Sequence, residues 1–82
     1  MDTSLAYLRE SLSNHLNRST GQEVYKKLQT NHYKNEEEFV RDLAEEEVAF
    51  LNKILRDEIR YAEEEQDQKR VMELNEVYEL LI

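Results

Sequence analysis

The sequence predicts an all-α protein, a small antiparallel helical bundle of three to four helices with one long central helix. Three observations carry that expectation. Proline is absent and Gly21 is the only glycine, so the turn residues that sheets and hairpins need are missing. Charged residues make up 37% of the chain, mostly Glu, Lys and Arg, which are good helix formers. Apolar residues recur at three- and four-residue steps along most of its length. With 82 residues there is room for a single helical domain, 1–82, with helices expected at about 4–18, 21–30, 36–64 and 68–81.

The first helix starts at Asp2 to Ser4, any of which can cap it. Leu5, Leu8, Leu12 and Leu16 form one apolar stripe, with Arg9, Glu10, Ser13 and Asn17 opposite. Around Thr20-Gly21-Gln22-Glu23 the pattern marks a boundary in either of two ways. Thr20 and Glu23 match a capping box, and Gly21 suits a left-handed residue closing the first helix. A short second helix follows, with Val24, Tyr25 and Leu28 facing inward, and Asn31 to Lys34 reads as a loop.

Asn35 can cap the third helix, where Glu36, Glu37 and Glu38 meet the positive end of the helix dipole. No residue from Asn35 to Glu64 is a helix breaker, and the stripe runs from Phe39 through Leu43, Leu51, Ile54 and Leu55 to Ala62. It resumes at Val71, nine residues after Ala62. At roughly 100° per residue that is about half a turn out of phase. A turn near Glu65 to Gln68 would bring both stripes onto one core; the alternative is one very long helix whose second stripe meets a partner. The expected core is Leu5, Leu8, Leu12, Leu16, Leu28, Phe39, Leu43, Leu51, Ile54 and Leu55.

Composition narrows function by exclusion. Without cysteine there is no disulfide or thiolate metal site, and two histidines, His15 and His32, are too few for a structural zinc. Neither follows a glutamate by three residues, as carboxylate-bridged metal sites require, and no Ser-His-acid spacing is recognisable. One glycine cannot build a phosphate-cradling loop. The glutamate triplet 45–47 reads as a solvated helix face. No enzyme, no cofactor and no metal is therefore expected. With no signal peptide and no long apolar run, the chain reads as cytoplasmic and without a membrane partner.

The net charge of −8 is uneven, with +2 on residues 1–35 and −10 on residues 36–82. The acidic half repels phosphate backbones, which argues against nucleic acid. Arg18, Lys26, Lys27 and Lys34 with Tyr25 and Tyr33 form the one basic, aromatic stretch that a DNA-binding alternative would use. A core this small is often reinforced by association, so a homo-oligomer (a dimer) or one protein partner is expected. The apolar end of the chain, with Val71, Leu74, Tyr78 and Leu81 on one face, is either docked in the core or the candidate self-association or partner face.

Several stretches together resemble one known family. They are Tyr7 to Leu16, Asn35-Glu36-Glu37-Glu38-Phe39-Val40-Arg41-Asp42-Leu43, Phe50-Leu51-Asn52, Gln66-Asp67-Gln68-Lys69-Arg70 and Glu73 to Leu81. On these the chain resembles the sigma-G-dependent sporulation-specific acid-soluble spore proteins of bacilli, nearly end to end and with matching length. The resemblance implies a setting, the forespore late in sporulation, and brings no catalytic residues. It shares a label with the α/β-type acid-soluble spore proteins that coat DNA, but their glycine-bearing segments are missing here. The expected function is thus a structural or protein-interaction role in the forespore or spore interior, with a DNA-associated spore protein using the basic N-terminal part as the alternative.

Overall fold

The computed structural model describes residues 3–81, and its order is helical throughout: α1 (Thr3–Leu12), a 3₁₀ turn (Ser13–His15), α2 (Ser19–Thr30), α3 (Glu36–Arg41), α4 (Glu45–Glu64) and α5 (Gln68–Leu81). No strand occurs among the described residues. The all-α expectation holds. The cap proposed at Asp2 lies outside the described residues, as does Ile82.

The leucine stripe of α1 is buried at Leu5, Leu8 and Leu12, with Ser4 and Ser11 buried beside it. The α-helix ends at Leu12, six residues short of the expected limit at 18. Ser13 Oγ donates to the Glu10 carbonyl (2.6 Å), a local bond that competes with helix continuation. The tighter 3₁₀ turn rotates Leu16 out of the stripe, and it is only half-buried.

The boundary expected at Thr20 to Glu23 falls earlier. Arg18 is the extended residue before α2, and no side chain caps that end. Gly21 lies inside α2 and is buried, and its φ is not positive. Its role is close approach. A Cβ there would run into the carbonyl of His15 and come within 3.2 Å of the Phe50 ring. Val24 and Leu28 face inward as expected, with Tyr25 packed partly against the core.

The long central helix is the main correction. Residues 36–64 form two helices, α3 and α4, with a break across Asp42 to Ala44. Asn35 caps α3 as expected, its Oδ1 accepting from the Glu38 amide (3.0 Å). At the other end the amides of Asp42 and Leu43 bond three residues back, to Phe39 and Val40 (3.0 and 3.2 Å). The chain then extends at Ala44 (φ −77°, ψ 164°) before α4 begins. The break leaves Leu43 half-buried, whereas Phe39, Leu51, Ile54 and Leu55 are buried.

The turn preferred near Glu65 to Gln68 is present, at Glu65–Asp67. It lets α4 and α5 fold back on each other. Helix α5 packs on three other helices, α4, α1 and α3, which places it at the centre of the fold. Leu74 and Val77 of α5 are fully buried there. The exposed surface of 5329 Å² matches the roughly 5,200 Å² of a folded monomer of 9.9 kDa.

Candidate functional site

Two ion pairs and one histidine–carboxylate contact tie the helices together, each between residues distant in sequence. Lys27 of α2 reaches the break between α3 and α4. Its Nζ donates to Glu47 Oε1 and to the Asp42 carbonyl, both at 2.7 Å. Glu47 Oε1 also accepts from the Ala44 amide (2.7 Å), so one carboxylate closes the helix start and pairs a cation. Glu47 is 3% exposed, which corrects the reading of Glu45 to Glu47 as a solvated face. Glu45 and Glu46 do face solvent.

Arg70, at the start of α5, is the second tie and escaped the sequence reading. Its Nη2 meets Glu10 Oε1 (2.6 Å), its Nη1 donates to Ser11 Oγ (3.2 Å), and its guanidinium carbon lies 5.4 Å from the centre of the Tyr7 ring. Asp67 adds a longer contact at 3.4 Å. Burial works to lower the Arg70 pKa, but the bond and charge of Glu10, then of Asp67, leave it raised. The third tie is His15 Nε2 with Glu58 Oε2 at 3.3 Å. His15 meets a structural partner on α4, and His32 is exposed in the loop. Among the described residues no group of three His, Asp or Glu side chains could hold a metal ion.

The basic, aromatic stretch is partly consumed by the fold. Lys27 is paired, and the Tyr33 hydroxyl donates to Asp42 Oδ2 (2.6 Å) while accepting from Asn31 (2.9 Å). Burial first, then Asp42, holds the Tyr33 phenol above its ordinary pKa, against the opposing bond from Asn31. Arg18, Lys26 and Lys34 remain exposed.

The candidate face Val71, Leu74, Tyr78 and Leu81 turns toward its own chain. Leu74 is fully buried, in keeping with the reading of this segment as docked in the core. Tyr78 and Leu81 pack partly on the core, and Val71 is half-buried. Among the described residues, the large apolar side chains left in solvent are Tyr61, Met72 and Leu80.

Two of these flank the corner between α4 and α5, and the corner's geometry is specific. The Asp67 amide bonds to the Ala62 carbonyl (2.9 Å) and the Gln66 amide to that of Glu63 (3.1 Å). These are the paired bonds of a Schellman motif, whose left-handed residue is ordinarily glycine. Here it is Gln66, with φ of 60°. Asp67 then starts α5, its Oδ1 accepting from the Arg70 amide (3.2 Å). Glu63, Glu64 and Glu65 crowd the negative end of the α4 dipole, whose last turn has no basic residue. A groove of about 340 Å³ opens beside them, with Ala62, Val71 and Met72 as its apolar part and Glu63 and Asp67 on its rim. Asp67 is a turn-forming residue type, whereas nothing local marks Gln66 as left-handed.

Comparison with known proteins supplies a setting. A family described as "CsgA: Minor curli fiber component A" matches residues 1–82. A protein of Bacillus subtilis (strain 168) named "Sigma-G-dependent sporulation-specific SASP protein" is 60% identical over 82 residues, all of both chains. No solved structure matches.

Proposed function

The chain belongs to the CsgA family, and on that premise we propose that it serves sporulation as a structural or protein-interaction protein working through its helix faces. The observation that carries this is the end-to-end identity of 60% to a relative named as sporulation-specific, which supports a spore-associated role and the forespore or spore interior as its place. That relative is named as a spore protein and not as an enzyme. Against catalysis in this chain we set the use of its part-buried charges, Lys27, Glu47 and Arg70, as ties between helices. No helix among the described residues is long and apolar enough to cross a membrane.

The family description speaks of a fibre component. A fibre stacked from β-strands needs strands, and none of the described residues forms one, so the helical surface is the better basis for a role. A DNA-associated role has less support, because the fold engages Lys27 and Tyr33 internally and the rest of the chain carries −10. A crosslinked pull-down of tagged protein from sporulating cells tests the proposal. A stoichiometric protein partner, or recovery of the chain with itself as a dimer, is the expected result. A chain that instead shifts DNA at low salt, with affinity falling steeply as salt rises, belongs to the alternative.

A further inference from the structure

We propose that the groove at the α4–α5 corner is a docking site for a cationic amphipathic segment of a partner protein. This rests on the reading of the chain as an interaction protein and names the chemistry of the partner. Its apolar surface comes from the half-buried Val71 and from Met72, which is 64% exposed, a flexible side chain well suited to packing on varied surfaces, over a floor at the buried Ala62. On the far side of the corner Tyr61, 61% exposed, lines an adjoining groove that shares Ala62 and Asp67.

Charge selects the occupant. Residues 57–72 contain six acids (Asp57, Glu58, Glu63, Glu64, Glu65 and Asp67) and three bases, of which Arg60 pairs with Asp57 at 3.0 Å and Arg70 with Glu10 and Asp67, and Lys69 is the third. The carbonyl end of the α4 dipole points the same negative potential at the groove. A lysine- or arginine-bearing helix would complement the rim while its apolar side covers Met72. A second copy is a poorer occupant. Its own charge is −8, and its basic part carries only +2. An anionic membrane is repelled for the same reason. Folding alone would favour a different corner. Glycine in place of Gln66 and bases in place of the triplet would both relieve local conflict, and conflicts of this kind gather where function constrains a fold.

The test uses the full chain, labelled with ¹⁵N, and two synthetic 14-residue amphipathic helices, one of Leu and Lys and one of Leu and Glu. The Lys peptide is expected to shift amide resonances mainly within residues 61–72, and the Glu peptide none. By fluorescence polarisation, Met72→Ser should weaken the Lys peptide about tenfold. The charge reversal Glu63→Lys should weaken it further and flatten its salt dependence, whereas Glu37→Lys on α3 should change little. Absence of binding overturns the site. So do shifts spread over the whole acidic face, or equal losses from Glu37→Lys and Glu63→Lys. Shifts at 61–72 that appear with rising protein concentration and no peptide would assign the groove to a second copy instead. A peptide-binding corner in a chain that recovers no protein from sporulating cells would keep the site and discard the broader role. A partner recovered by a chain whose corner ignores the peptide would do the reverse.

Discussion

Two glutamate triplets bound the longest helix, and the fold treats them in opposite ways. Glu45 to Glu47 stand at the N-terminus of α4, where the dipole favours acids, and Glu47 is drawn inside to hold Lys27 and the Ala44 amide. Glu63 to Glu65 stand at its C-terminus, where the dipole opposes them, and all three face solvent. The first break in the acid-rich half is thus closed by a buried contact from α2. The second is held by backbone bonds around a left-handed Gln66. Glu47 of the first triplet is structural, while the second triplet is tolerated at some loss of stability.

The largest test of the contrast is Glu47→Ala. It removes a charge-assisted cap and leaves Lys27 without its carboxylate, so we expect a loss of about 3 kcal/mol. Glu64→Lys, the corresponding change at the other pole, should give a small gain. Urea midpoints at constant m-value check both. Equal effects at the two triplets would remove the distinction between them.

Glycine offers the next test, because the one glycine is not at the one left-handed residue. Gly21→Ala forces a methyl against the His15 carbonyl and should cost about 2 kcal/mol. Gln66→Gly relieves the positive φ and should stabilise by about 1 kcal/mol. A loss in the second variant would mean that the Gln66 side chain contributes more than its backbone conformation costs.

Arg70→Ala asks whether the corner is anchored from α1. Loss of Glu10, Ser11 and the Tyr7 ring should destabilise by about 1–2 kcal/mol, and lysine should restore only part because it cannot fork between Glu10 and Ser11. The smallest effect concerns Tyr33, which buttresses Asp42 at the first break. Tyr33→Phe should cost about 0.5 kcal/mol at neutral pH, given the solvent around this loop. The pKa of the phenol is raised in the folded state, so its contribution is complete below the unfolded value of 10.0 and is lost as pH rises through the folded one. The wild-type advantage over the phenylalanine variant should therefore shrink only above pH 10, read from urea midpoints across the alkaline range.

Much of this fold is local. Helix-forming composition, the absence of proline, the stripe of Leu5, Leu8 and Leu12, and the Asn35 cap each act within a turn or two, so they can be read along the chain. The phase slip between Ala62 and Val71 also announced a turn, since two stripes half a revolution apart cannot share a core on one straight helix. The same periodicity at Val71, Leu74, Tyr78 and Leu81 left two readings open, docking in the core or a partner face. A stripe shows that a face is buried without showing by what, and α5 turns this one toward its own chain.

The sequence by itself determined that the protein is helical, where most helices lie, and that it is acidic with a basic stretch over residues 1–35. Only the tertiary structure decided the break at Asp42 to Ala44, the burial of Glu47, the role of Gly21 and the reach of Arg70 to Glu10. The physical reason is separation along the chain. Lys27 and Glu47 are 20 residues apart and Arg70 and Glu10 are 60 apart, so neither pair leaves a periodic trace. Nothing in Leu43-Ala44 disfavours a helix. The chain breaks there because a cation from another helix and a carboxylate three residues on stabilise the broken form.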